Sequence, residues 1–397
     1  MSQIQYHLLE HIRADQKQYT RSEGGNWSAL IPEFGLPVAQ AYRDAATAFW
    51  RGYRPHTRSE GAAPNSIPFA VIFGLAGLEI ELGDDGAIEQ LSDEEAQTAL
   101  RYALWELNGF PHWFEALCHQ YPLAVTNVLH AEIDWELHNS APEHHAYYVL
   151  HNLVYYAPGL HRALAPVIYD RVSKQQLVSR DCLNYCRKIM TGGDLPADKI
   201  ALLATAKIAD SSTPLPLLPV WHAVRMHAAP FQALAPLKLA FRSRNAAKTH
   251  FGELFSVALL GGGRESVKST GSFHTPTLLK ELYVLMHRRV RAKDDINRAN
   301  TGVYSPTLRD DAQDARERLF ALLCELGTET TYRTILELAV EHPDPRYRVY
   351  MRSEARRRAT VDGELALWSE TEVVDAARRL AVLSSEDFPQ AVPYAAH

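Results

Sequence analysis

The chain has 397 residues, 46% of them hydrophobic, enough for two or three ordinary domains or for one elongated repeat structure. Its 41 basic and 47 acidic side chains leave a formal charge of −6, which gives no general footprint for nucleic acid or a membrane surface. The longest apolar run, residues 67–78, is too short to span a bilayer, and the charged N-terminus lacks the apolar stretch of a secretory signal, so a soluble, cytoplasmic protein is expected.

The first 60 residues carry the least regular pattern. Strand alternation is scarce along the chain, and LEIEL at 78–82 is its best instance. From about residue 90 helical punctuation recurs. Ser92 and Glu95 form a capping box, each able to bond the other's backbone amide, and Ala96, Leu100, Leu104 and Leu107 follow at helical spacing until NGFP stops the run. Trp113, Phe114 and Leu117 belong to a short helix, and Val125, Leu129, Ile133 and Leu137 line one face of the next. Ser140 with Glu143 is a second capping box, opening the helix that contains HHAYYVLHNLVYY.

In the C-terminal half, TPTLLKELYVLMHRRV (275–290) starts on Thr-Pro and turns Leu278, Leu282, Leu285 and Met286 inward. SPTLRDDAQDARERLFALLCELG follows, with Ser305 as the expected N-cap, Pro306 in the first turn, a stripe from Leu308 through Ala312, Ala315, Leu319 and Leu322 to Leu326, and Gly327 as the stop. Ser369 and Glu372 make a third capping box. Loops are expected at 56–66, 191–197, 261–274 and 297–305.

These signals predict an all-α protein of stacked antiparallel helix pairs, an α-solenoid of HEAT-like type or an irregular helical array. No exact period accompanies them. The expected organisation is an N-terminal helical segment (1–60), a helical repeat region (61–262) and a C-terminal helical region (263–397).

Residues 254–270, LFSVALLGGGRESVKST, approach the phosphate loop G-x-x-x-x-G-K-[ST], with Gly262, Lys268 and Ser269 in register. The second glycine falls on Val267, a β-branched residue poorly suited to the unusual backbone angles required there. The match is read as accidental, in a Gly/Ser-rich loop between helices. Neither G-x-S-x-G nor HExxH occurs, so no catalytic residue, metal site or cofactor is assigned. Of the four cysteines only Cys182 and Cys186 are close, with no second pair for zinc, and reduced buried thiols are expected. His144 and His151 share a helix face among tyrosines and are read as packed, hydrogen-bonded side chains.

Asp294, Asp295, Asp310, Asp311 and Asp314 surround the NTGVYSP loop. Asp310 and Asp311 suit the first turn of a helix, and Arg309, Arg316 and Arg318 stand close by as counter-charges, so the cluster is read as structural. Two basic clusters are more suggestive. Arg288, Arg289, Arg291, Lys293 and Arg298 exceed Asp294 and Asp295 by three charges. Arg348, Arg352 and Arg356 fall on one helical face near Tyr347 and Tyr350, in a segment that also holds Arg346, Arg357 and Arg358 against Glu354. Arginines among aromatics can bind phosphates and stack on bases, so Arg288, Arg289, Arg291, Arg348, Arg352 and Arg356 are the candidate anion or nucleic-acid contacts, although a solvated face is the commoner use.

Several blocks carry a resemblance. ALIPEFGLPVAQAYRDAATAFWRGYRP (29–55), GLEIEL (77–82), LRYALWELNGFPHWFEAL (100–117) and residues 274–323, with the HPDPRYR turn and Trp368 beyond, are similar to blocks in the helical C-terminal region of large bacterial NACHT-type NTPases. They cover a little over half the chain in the same order and are packing patterns rather than catalytic motifs. In that family an ATP-driven switch precedes the helical region, and several members look like antiphage sensors. The resemblance implies a non-enzymatic sensor or scaffold role. The NTPase motifs are absent, so no ATP-binding residue carries over, and the chain is expected to be the C-terminal portion of a split or truncated gene or to act with a separate NTPase subunit. A protein ligand or partner is expected, nucleic acid is the alternative, and no membrane association is expected.

Overall fold

The computed structural model describes residues 3–14, 22–64, 66–83, 87–106, 108–138, 147–242, 250–262, 272–298, 302–342, 345–361 and 378. Among them there is no strand: the chain is all-α, its helices packed against one another in pairs. It divides into two compact units, Met1–Ala229 and Pro230–His397. No helix among the described residues is long and apolar enough to cross a membrane.

The first unit opens with α1 (Gln3–Ala14), a one-turn α2 (Ile31–Phe34), α3 (Leu36–Gly52) and α4 (Phe69–Leu82). Residues of the expected N-terminal segment share a core with α4: Leu8, Leu9, Ile12, Leu30, Tyr42 and Ala46 cluster with Phe73 and Ala76. The LEIEL stretch lies within α4, so its alternation is not that of a strand. Burial runs around that helix from Val71 through Leu78, and Glu81 reaches out to the Arg51 guanidinium and the Trp50 indole N–H. The α3–α4 contact is close enough that a Cβ on Gly77 would sit 2.0 Å from the Ala46 carbonyl oxygen. Only glycine leaves room for that crossing.

After α4 come α5 (Asp93–Ala103), α6 (Phe114–Gln120), α7 (Pro122–His138), α8 (Tyr148–Tyr156), α9 (His161–Lys174), α10 (Arg180–Gly192), α11 (Ala197–Ala209) and α12 (Leu218–Ala228). The Ser92–Glu95 capping box forms as expected, with Glu95 Oε2 accepting from Ser92 N–H at 2.8 Å. The helix ends at Ala103, Leu107 lies outside the described residues, and Asn108 and Gly109 follow with positive φ of 56° and 132°. All four stripe residues of α7 are buried. That helix also buries Glu136, whose two carboxylate oxygens accept from the Val149 and Leu150 amides at 2.7 and 2.9 Å. A neighbouring helix thus supplies the cap for the first turn of α8, satisfying amides that have no intrahelical partner. The Ser140–Glu143 box and His144 lie outside the described residues, as do Ser369 and Glu372.

A second polar tie holds the 3-10 turn Arg58–Glu60 to α5, where Arg101 grips both oxygens of Glu60 at 2.6 and 2.7 Å. The Arg101 hydrogen bond is the main reason the Glu60 carboxyl titrates at about 2 rather than at its ordinary 4.5. A carboxyl depressed in the folded state stabilises the fold above its unfolded pKa and loses that contribution as pH falls through the folded value. Urea unfolding followed by circular dichroism should therefore show stability falling from pH 4.5 toward 2, with a shallower fall in that window for Glu60→Gln. Identical slopes for the two proteins would exclude Glu60 as a contributor.

The second unit holds α13 (Pro230–Arg242), α14 (Phe251–Leu260), α15 (Pro276–His287), α16 (Leu308–Glu325), α17 (Glu329–Glu341) and α18 (Pro345–Val361). α16 packs on α14 and α15, α17 on α15, and α18 on α17. Thr275 caps α15 as its Thr-Pro start predicts, accepting from Leu278 N–H, and the four expected inward residues are buried. In α16 the cap lies at Thr307 instead of Ser305, because Asp310 closes a capping box there, accepting from both the Thr307 amide and its hydroxyl. Its buried face includes Phe320 and Leu323, with Leu322 only half-buried, and Gly327 stops the run at φ 61°.

Candidate functional site

The chemistry-bearing side chains of the second unit sort into a structural charge network, two adjoining cavities and a cationic helix face. The network centres on Asp295. Its carboxylate takes Arg316 on both oxygens, at 2.9 and 2.6 Å, and Arg309 at 2.9 Å. Arg316, 1% exposed, also donates to the Val290 carbonyl and to Glu317. Arg309 reaches Glu253 at 3.2 Å, and Arg298 pairs with Asp310 through two bonds of 2.9 Å. The Arg298 hydrogen bond, followed by the Thr307 hydroxyl, holds the Asp310 carboxyl far below the carboxylate range. Asp294 pairs with Arg291. Asp294, Asp295 and Asp310 are thus matched by arginines and tie the segment after α15 to α16, while Arg318, expected as a further counter-charge, donates to the Leu260 carbonyl.

The cavities lie where α15 meets α17 and α13. One, of about 390 Å³, is lined by Tyr283, Val284, His287, Arg288, Leu338, Glu341 and His342. Three rings dominate it: His287 stacks on Tyr283 at 4.0 Å between centroids and meets His342 edge-on at 5.3 Å. Burial, with the nearby Arg316 charge, drives the His287 imidazole down to about 3, so it is neutral near pH 7. Its Nε2 is buried with no hydrogen-bond partner among the described residues. The second cavity, about 340 Å³, shares Val284, Arg288 and Glu341 with the first and adds Lys238, Arg242, Lys280 and Arg289 among its cations.

Those cations are differently employed. Lys238 pairs with Glu281, Lys280 with Glu337 and Glu341, and Arg289 donates to the Phe241 carbonyl. Arg242 and Arg288 are exposed, and neither guanidinium has an ion-pair or hydrogen-bond partner among the described residues. Of the first predicted basic cluster, the structure therefore places Arg288 in both cavities, gives Arg289 a backbone acceptor, and commits Arg291 to Asp294.

Beyond the cavities, Tyr347 stacks on His342 at 4.7 Å and begins the cationic face of α18. Met351 and Ala355 turn inward, so Arg352 and Arg356 point to solvent, while Arg348 is half-buried and donates to the His342 carbonyl. Val349 and Tyr350 stand exposed beside them, Val349 at 69%.

The phosphate-loop near-match has the wrong surroundings. A helix, α14, precedes it where the motif needs a strand, and a Cβ on Gly262 would meet the Asp311 carboxylate, an anion where a phosphate would sit. Lys268 and Ser269 lie outside the described residues. All four cysteines are buried. The Cys182 thiol is pushed well up by its hydrogen bond with Cys186 and by burial, and burial pushes Cys118 up to about 12. Among the described residues no group of three or more His, Cys, Asp or Glu gathers as metal ligands do.

Sequence reasoning picked out Arg288 but not Tyr283, His287, His342, Arg242 or Lys238. Their signal was present only as single letters, because residues a hundred positions apart line the two cavities. No protein-family model matches the chain, and no curated protein or solved structure matches it either.

Proposed function

We propose that the chain is a non-enzymatic helical interaction module that holds a protein partner on the outer face of its second unit. The observation that carries the reading is the surface of α17 and α18, where Val340 (66% exposed), Val349 and Tyr350 accompany the solvent-facing Arg352 and Arg356. Arginine and tyrosine beside exposed aliphatic side chains have the composition of a protein-binding patch. The resemblance to the helical region of NACHT-type NTPases supports a sensor or scaffold role, with a separate NTPase subunit as one partner to test and antiphage defence as its setting.

Affinity capture from cells expressing the chain, compared with a Val349→Glu, Arg352→Glu variant, tests this. A defined protein recovered by the parent and lost from the variant is expected. Capture of nothing, or of the same proteins by both, overturns the assignment. The alternative, a nucleic-acid contact through Arg348, Arg352 and Arg356, has weaker support, because Arg348 is already engaged by the backbone. It requires salt-dependent binding of an oligonucleotide that glutamates at the three positions abolish.

A further inference from the structure

The two adjoining cavities have complementary chemistry. The first is an apolar cavity walled by the rings of Tyr283, His287 and His342, which pack on one another, and by Val284 and Leu338. Flat ligands fit such walls, since stacking on rings rewards area while leaving the ring edge free for hydrogen bonds. His287 stands in that wall as a neutral imidazole, and its Nε2, closed off from solvent, has no partner among the described residues. A buried polar atom left unpaired carries a desolvation penalty that an incoming donor or acceptor would relieve.

The second cavity is cationic, with five basic side chains in its wall against Glu281 and Glu341. Both carboxylates are paired with lysines, Glu281 with Lys238 and Glu341 with Lys280. The charge left over therefore belongs to Arg242, Arg288 and Arg289; Arg289 already donates to the Phe241 carbonyl, which leaves Arg242 and Arg288 as the two guanidiniums without side-chain partners among the described residues. Guanidinium forks suit a multiply charged oxyanion better than a single carboxylate. Arg288 stands in both walls, so a ligand could place a ring in one cavity and its anion in the other without crossing a polar gap. Each cavity falls within the size range of small-molecule sites.

We infer that these cavities form one site for a nucleoside monophosphate, with the base in the Tyr283–His287–His342 cavity and the phosphate on Arg242 and Arg288. The site adjoins the exposed α17–α18 face, whose Tyr347 and Arg348 contact His342, but Val349 and Arg352 line neither cavity and can be changed without touching it. Ligand and partner binding can therefore fail independently.

The test is calorimetric titration of the full chain with AMP, GMP, CMP and UMP in turn, with the matching nucleosides and inorganic phosphate as controls. At least one monophosphate is expected to saturate with a Kd below about 1 mM, its nucleoside and inorganic phosphate each binding at least about tenfold more weakly. Arg242→Glu with Arg288→Glu, both solvent-exposed positions, should weaken the monophosphate by more than about tenfold and leave the unfolding transition in place. His287→Ala should weaken the monophosphate while leaving the residual binding of inorganic phosphate unchanged. Lys293→Glu, outside both cavities, should bind like the parent. Absence of saturable binding for all four nucleotides overturns the inference, as does binding that survives the double arginine substitution. Inorganic phosphate binding as tightly as the nucleotides would also overturn it, because the ring-walled cavity would then contribute nothing.

Discussion

Replacing Arg316 with alanine is expected to destabilise the second unit by roughly 3–5 kcal/mol, the range found when one partner of a buried ion pair is removed. The guanidinium is almost wholly enclosed and makes three kinds of contact: both oxygens of Asp295, the Val290 carbonyl and Glu317. Glu317 is half-exposed and adds little, as surface pairs do. The larger part of the loss comes from Asp295, left facing the space vacated by the guanidinium with only Arg309 to answer it, and from the unsatisfied carbonyl. Urea unfolding of the full chain and of Arg316→Lys provides the comparison. Lysine keeps the charge but not the two-pronged grip, so an intermediate loss is expected. A change below about 1 kcal/mol for alanine would place this network with ordinary surface pairs.

The second large effect is a reversal of sign. Glycine to alanine inside a helix ordinarily stabilises by about 0.5–1 kcal/mol, since glycine gives up more backbone freedom on folding. At Gly77 the opposite is expected, because the new methyl would lie 2.0 Å from the Ala46 oxygen and 2.6 Å from its carbonyl carbon. Those are backbone atoms that cannot rotate aside, so α3 and α4 must part, loosening the packing of Tyr42 and Phe73 beside them. Overpacking of this kind costs about 1–3 kcal/mol and outweighs the propensity gain. Gly52→Ala is the internal control: a Cβ there meets nothing within 4 Å, and a neutral or slightly favourable change is expected. Two substitutions of equal effect would mean that the α3–α4 crossing is not as tight as described.

Much of the fold was legible from local signals. The Ser92–Glu95 box, the Thr275 cap and the α7 stripe each require only residues within a turn or two of one another, and each formed as read. The departures came where a distant side chain outvoted the local pattern. Asp310 drew the α16 cap to Thr307 with help from Arg298, and the short alternation at 78–82 was absorbed into a helix buried around most of its circumference. The charge cluster was read in kind, with Arg309 and Arg316 as its counter-ions, though not in its centre, Asp295. The cavities were not legible, because α13, α15 and α17 meet there through contacts that leave no periodic mark on the sequence.

The clamp on Asp295 has a bearing on the neighbouring cavities. It begins seven residues past Arg288, and Arg289 is separately fastened to the end of α13. The basic rim is therefore braced from both sides before any guest arrives. A small molecule settling there would meet a held backbone, and the ordering left to it would be that of the exposed Arg242 and Arg288 side chains.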